Sequence, residues 1–337
     1  ERRERYSMGA PLLLPVGSTL PLLAAALGTR RPVLERPNLV LFFVDDLGYG
    51  DVGFNGHPSS STPQIDRLAA EGKVLSSWYS ACPVCSCSRA SLLTGRQWPR
   101  MGIPGVFSPV TDSGLPLNET TLASELQQGG YATGIVGKWH LGQRSAYLPA
   151  ARGFNEYLGI PYSDDMGKGR RTPCMGNEVH GPDPASMYAE AKFSSASASL
   201  KALAPYLEAG LTPEPTSAEL SDPAGKHLPL VLQKAGRTAV VEQPVDLTTV
   251  GAKYAAFSET FVKEHAEQPF FLYVPFSHVH TTESNQPHEQ YCGCSFENTT
   301  RRGAFGDALA EADAIISRIV AAVDAAGVRE NTLFLFT

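Results

Sequence analysis

Two unbroken apolar runs limit the folds open to this chain. Residues 37–44 read PNLVLFFV and residues 269–276 read PFFLYVPF. Each has the length and the β-branched or aromatic content of a strand, and neither alternates with polar residues, so both faces must be covered. Strands of that kind belong to a parallel sheet with helices packed on either side. The first run ends at once in Asp45-Asp46-Leu47-Gly48-Tyr49-Gly50-Asp51, the second in Ser277-His278-Val279-His280. Open α/β sheets gather their ligands at the carboxyl ends of strands, which places a site in these loops. Adjacent carboxylates repel each other and call for a cation, and hard oxygen donors suit Ca²⁺ or Mg²⁺. By itself, an Asp-Asp after a strand also reads as a polar turn that caps a helix.

Between the runs the chain alternates helix and strand signals. Thr62-Pro63 opens a helix that stops at Gly72, with Ile65, Leu68 and Ala69 as its buried stripe. Val74–Trp78 reads as a strand leading into Cys82–Arg96, CPVCSCSRASLLTGR. There Ala90–Thr94 reads as a helix with Gly95 as its stop, which puts Cys85 near the helix start and Arg89 one turn on. Unpaired N–H groups and the positive dipole end favour an anion at such a start, and a forked guanidinium adds to this. A Cys-x-x-Cys-x-Cys run equally describes a thiolate metal site or a disulfide knot. Thr121–Gln128 is the next helix, with Leu122 and Leu126 inward, and Tyr131–Val136 the next strand. It runs into Gly137-Lys138-Trp139-His140, where Lys138 and His140, two apart in an extended segment, can face one pocket. Tyr254–His265 has helical spacing at Ala255, Phe257, Phe261 and Val262. A long amphipathic helix follows Gly303, with Leu309, Ala312, Ile315, Ile316, Ile319, Val320 and Val323 on one face. Leu333–Thr337 closes the chain as a strand.

The run C-S-C-S-R-A-S-L-L-T-G-R at 85–96 resembles the sulfatase signature C-x-P-S-R-x-x-L-L-T-G-R, with Cys87 in place of Pro. Residues 130–140, GYATGIVGKWH, match that family's second signature. Val44-Asp45-Asp46-Leu47-Gly48-Tyr49-Gly50-Asp51 looks like its metal-binding opening, and the likeness is nearest to arylsulfatases of the A type. The resemblance implies an alkaline-phosphatase-like α/β sandwich with a mixed, mostly parallel sheet and helices on both faces. It implies oxidation of Cys85 to formylglycine by a maturation enzyme, with Asp45, Asp46 and residue 85 on Ca²⁺, or Mg²⁺ in its place. It further implies that Arg89 and Lys138 bind developing negative charge, that His140 and His280 move protons, and that Ser163 in GFNEYLGIPYS joins Lys138 and His280 on the substrate. His278 is then the flanking histidine. The activity implied is hydrolysis of a sulfate ester on a small molecule, glycan or sulfolipid.

Residues 8–28, MGAPLLLPVGSTLPLLAAALG, read as a signal peptide, with Met8 as the start and residues 1–27 as an N-terminal extension. The catalytic domain is expected over 37–337, with a Pro-, Ala- and Ser-rich surface excursion at 166–245. Within it, Ala196–Leu211 has some helical character, and His180 and His227 carry no chemistry. The sequons at Asn118 and Asn298 fit a glycoprotein of the secretory pathway, lysosomal or extracellular. A net charge of −6 without a basic block argues against nucleic acid, and no internal apolar run is long enough to span a membrane. A homo-oligomer is among the assemblies the family admits. The family continues past a strand like Leu333–Thr337 into an Asp-Asn pair that completes the metal site, so the catalytic domain is expected to be incomplete here. Three rivals stand beside the sulfatase: a phosphonate or phosphate-ester hydrolase of the same superfamily, an inactive secreted sulfatase-like glycoprotein, and a thiolate metal site at Cys82, Cys85 and Cys87.

Overall fold

The computed structural model describes residues 36–174, 227–283 and 290–337. The expected signal peptide, the helix at Ala196–Leu211 and His180 lie outside them. The first apolar run is β1 (Asn38–Val44). It is followed by α1 (Pro63–Glu71), α2 (Cys85–Thr94), α3 (Leu122–Gln128), β2 (Ala132–Val136) and β3 (Glu156–Gly159). Then come β4 (Leu230–Lys234), β5 (Arg237–Glu242), α4 (Val250–His265), β6 (Phe270–Phe276), α5 (Gly303–Ala325) and β7 (Thr332–Phe336).

The strands form one sheet of order β5-β4-β3-β2-β6-β1-β7. β1 pairs in parallel with β6 and β7, and β2 with β6 and β3, while β4 and β5 add an antiparallel edge. Alternate residues of each strand serve two separate cores. Val40, Phe42 and Val44 pack with Ile65 of α1, Tyr254, Phe257 and Phe261 of α4, and Leu309 to Val323 of α5. Leu41, Ile135, Phe271 and Tyr273 point the other way, onto Ala90 and Leu93 of α2 and Ala123 of α3. This is the alkaline-phosphatase-like α/β sandwich expected from the sequence, mixed and mostly parallel, with helices on both faces. All seven residues of the stripe on α5 are buried, and the six larger than alanine are each worth about 1.5–3 kcal/mol when fully covered.

Local expectations fail where a side chain meets a partner the sequence does not show. Val74–Trp78 is not a strand: Val74, Leu75 and Trp78 are exposed and no described strand pairs with them. On α3 it is Ala123 that is buried, with Leu122 turned to solvent. Thr62 does not cap α1 with its side chain; the Gln64 and Ile65 N–H groups donate instead to the Asp313 carboxylate of α5. Inside the expected surface excursion, Leu230–Glu242 forms two strands, and Leu230, Val231 and Leu232 are buried. No described helix is long and apolar enough to cross a membrane.

The chain leaves β2 through Gly137, whose φ is +125°. A Cβ there would stand 2.1 Å from the Pro275 carbonyl oxygen of β6. Gly137→Ala is therefore expected to cost about 3 kcal/mol in chemical denaturation. An alanine variant as stable as the parent would show that the close approach is not needed.

Candidate active site

Four neighbouring parallel strands deliver the site. β1 ends at Asp45, β2 leads to Lys138 and His140, β3 to Ser163 and Asp164, and β6 to Ser277–His280. The ends are tied by backbone bonds. The Asp45 N–H donates to the His278 carbonyl at 2.8 Å and Val279 N–H to that of Asp45 at 2.9 Å; Lys138 N–H donates to Pro275 at 2.8 Å. α2 brings Cys85 in from above, and its C-terminus closes on Gly95 in the left-handed region, as the sequence predicts.

Lys138 is the hub. Its ammonium, fully buried, donates to an Asp45 carboxylate oxygen, to Ser163 Oγ at 2.9 Å and to Cys85 Sγ at 3.3 Å. Arg89 of α2, also buried, reaches the same Asp45 oxygen at 3.3 Å, donates to the Lys138 carbonyl at 2.9 Å and lies over the Phe43 ring. Both cations thus crowd Asp45 Oδ2, while Oδ1 faces Cys85 Sγ at 3.8 Å. Burial works to raise the Asp45 carboxyl, but Lys138 and Arg89 overcome it and hold the group far below the usual carboxylate range. Burial likewise opposes the charge on Lys138, and Asp45 outweighs it, so its pKa rises.

The two site histidines have opposite characters. His140 is buried, and its Nε2 meets the Phe107 carbonyl at 2.9 Å, so that nitrogen carries the hydrogen and Nδ1 keeps a lone pair with no protein partner. Burial, then Lys138, push its pKa well below the ordinary value, leaving a neutral imidazole ready to accept a proton. Phe107 is itself held by the N–H bond it donates to Ser86 Oγ on α2 at 3.1 Å, so the Cys85 turn and His140 share one brace. His280 is only partly buried. Its Nδ1 donates to the Thr281 carbonyl at 2.7 Å, and its Nε2 stands 3.5 Å from Asp46. Burial lowers its pKa, but a hydrogen bond with Cys85 and the charge of Asp45 carry it up to about 9, so it is protonated at neutral pH. His278 turns away: it is buried against Glu311 of α5, with Nε2 to Oε2 at 3.0 Å.

The carboxylate oxygens of Asp45 and Asp46 are donors that suit a hard divalent cation. Ligand atoms of Asp45, Cys85 and His280 lie within 4.8 Å of one another, Asp45 Oδ1 is turned from both buried cations toward residue 85, and the exposed Asp46 adjoins His280. The other described grouping of this kind, Glu156, Glu264 and His265, already surrounds the Lys234 ammonium. The thiolate cluster does not form. Cys82 is bonded to Cys87 across residue 85, Cys174 to Cys294, and Cys85 and Cys292 are free.

The sequence singled out Asp45, Asp46, Cys85, Arg89, Lys138, His140, Ser163 and His280, and the fold brings all eight to one end of the sheet. It did not single out Asp164, Ser277 or the His278–Glu311 pair. Only their positions just past strand ends marked them.

Asp45 also sets a pH dependence. A depressed carboxyl adds stability that is present above its unfolded pKa near 3.8 and is lost as pH falls toward the folded value. With metal chelated, the melting-temperature gap between wild type and Asp45→Asn is expected to hold from about pH 7 to about pH 5 and to shrink below about pH 4. A gap that shrinks above pH 5 would contradict the assignment.

Comparison with known proteins agrees with this geometry. The sequence model of the family described as Sulfatase matches residues 37–337. Human arylsulfatase A is 39% identical over 98% of this chain and 55% of its own length, and rat arylsulfatase G 36% identical over 91% and 51%. The chain thus spans about half the length of these relatives. Among solved structures, the PsFucS1 sulfatase from Pseudoalteromonas sp. superposes with a TM-score of 0.63 at 26% identity, covering 89% of this chain and 54% of that one.

Proposed function

The chain belongs to the sulfatase family, and we propose on that premise that it carries the catalytic centre of an arylsulfatase-type sulfuric ester hydrolase. The observation that carries the proposal is the single ammonium of Lys138 touching Asp45, residue 85 and Ser163 at once. It joins a metal-binding carboxylate, the nucleophile and a substrate contact through one buried positive charge.

Residue 85, after oxidation of its thiol to formylglycine, would supply the oxygen nucleophile. A Ca²⁺ held by Asp45, Asp46 and residue 85 would supply Lewis acidity and orient a sulfate oxygen. Mg²⁺ would serve the same donors. The remaining work falls to side chains in the described site. Arg89 and Lys138 stand where negative charge grows, and their burial strengthens that interaction. His280, protonated at Nε2, gives its proton to the leaving oxygen. His140, with its open Nδ1 lone pair, removes a proton from residue 85 so that sulfate departs. Ser163 Oγ accepts from Lys138, so its own proton remains for a sulfate oxygen.

The substrate is a sulfate ester of a small molecule, glycan or sulfolipid, and the setting is the secretory pathway, in the lysosome or outside the cell. Exposed Asn118 and Asn298, each opening a sequon on a loop, support a glycoprotein there. The test is the matured full-length protein assayed on matched aryl sulfate and aryl phosphate. Faster cleavage of sulfate is expected, and a preference for phosphate overturns the proposal in favour of the phosphoester rival.

A further inference from the structure

Asp164 has no part in the chemistry above, yet it lies at its back. It follows Ser163 beyond β3, is wholly enclosed, and neither carboxylate oxygen has a hydrogen-bond partner. A buried carboxylate in that condition needs a compensating charge or water. Burial raises its carboxyl pKa; Lys138 and then His280 favour the charged form against it, and Asp45 opposes them. Lys138 has no proton to offer, because its three are directed at Asp45, Ser163 and Cys85. On the other side the Ser277 hydroxyl lies within electrostatic reach of Asp164 and of the buried hydroxyls of Tyr254 and Tyr291. None of these four groups makes a well-aligned hydrogen bond with a described residue. Polar groups that face one another without bonding are what ordered buried water joins.

The charge balance gives Asp164 a purpose. Asp45 serves two buried cations at once, and after Asp45 the next carboxylate acting on Lys138 is Asp164. We propose that Asp164 is a positioning residue, a fixed negative charge behind Lys138. Hydrated through Ser277, Tyr254 and Tyr291, it balances Lys138 once a divalent cation has drawn on Asp45, and it loosens the grip of the site on the sulfate product. The proposal rests on the sulfatase reading.

Asp164→Asn removes the charge and keeps the shape. Calorimetric titration of the matured full-length protein with Ca²⁺ and, separately, with inorganic sulfate reads the effect without turnover. The variant is expected to bind Ca²⁺ about tenfold more weakly and sulfate about tenfold more tightly, because losing one negative charge acts oppositely on a cation and an anion. Ser277→Ala, which keeps the carboxylate and removes the hydroxyl between the tyrosines, is expected to shift both in the same directions by about threefold, and it stands in if the asparagine variant does not fold. If wild type binds both ions but the variants bind both equally well, or both more weakly, the proposal falls alone. A wild type that binds neither ion overturns the sulfatase reading as well.

Discussion

Replacing Cys85 with alanine is expected to lower turnover of an aryl sulfate by at least about 10⁴-fold, with little loss of stability. The thiol is partly exposed at the start of α2 and meets Lys138, Asp45 and His280. On the proposed mechanism its loss removes the group that becomes the nucleophile, while α2, its Gly95 stop and the core beneath it remain. Cys85→Ser is expected to be as inactive, because a single hydroxyl cannot expel sulfate by collapsing to an aldehyde. Melting curves within about 2 °C of wild type would separate chemistry from folding. Peptide mass spectrometry across residues 79–96 of the wild type supplies the matching positive observation, an aldehyde at residue 85. A matured protein that retains the thiol and still cleaves its ester would end the account.

Replacing Lys138 with methionine should damage both function and fold. The change removes one of two buried cations from Asp45 and leaves Arg89 as its remaining partner at 3.3 Å. Breaking a buried pair from one side costs about 3–5 kcal/mol, because the other charge stays desolvated. Catalysis should fall by about 10²–10³ in kcat, the loss typical when one preorganised donor to developing negative charge is removed. Pairing the change with Asp45→Asn gives the diagnostic result. The double variant removes the Asp45–Lys138 pair but leaves buried Arg89 without its carboxylate, so the two stability losses should be less than additive while activity does not recover. Losses that simply add would mean that the two charges do not depend on each other.

Much of this site was legible because its residues come in short runs whose spacing is set by the strand and helix that carry them. Asp45 follows an apolar strand, Lys138 and His140 lie two apart just past β2, and Cys85 and Arg89 are one helical turn apart. Other features hid because their cause is far away in the chain. Thr62 looks like a cap, but an aspartate near residue 313 does that work. Val74–Trp78 has strand composition, yet no strand edge reaches it. Leu230–Glu242 sits in a weakly patterned stretch and becomes a strand pair because β3 offers an edge at Tyr157–Gly159.

The linear order of residues determined the layered parallel sheet, the strand ends as the place for chemistry, and the cast of side chains, because hydrophobic period and local motif spacing are properties of neighbours in the chain. The folded arrangement alone decided which charge faces which. That Asp45 answers to both Lys138 and Arg89, that His140 is neutral and His280 cationic, and that Asp164 is sealed behind them all follow from burial and distance between residues far apart in sequence. Electrostatic energy depends on separation in space and on the exclusion of water, and neither quantity is written in the order of the residues.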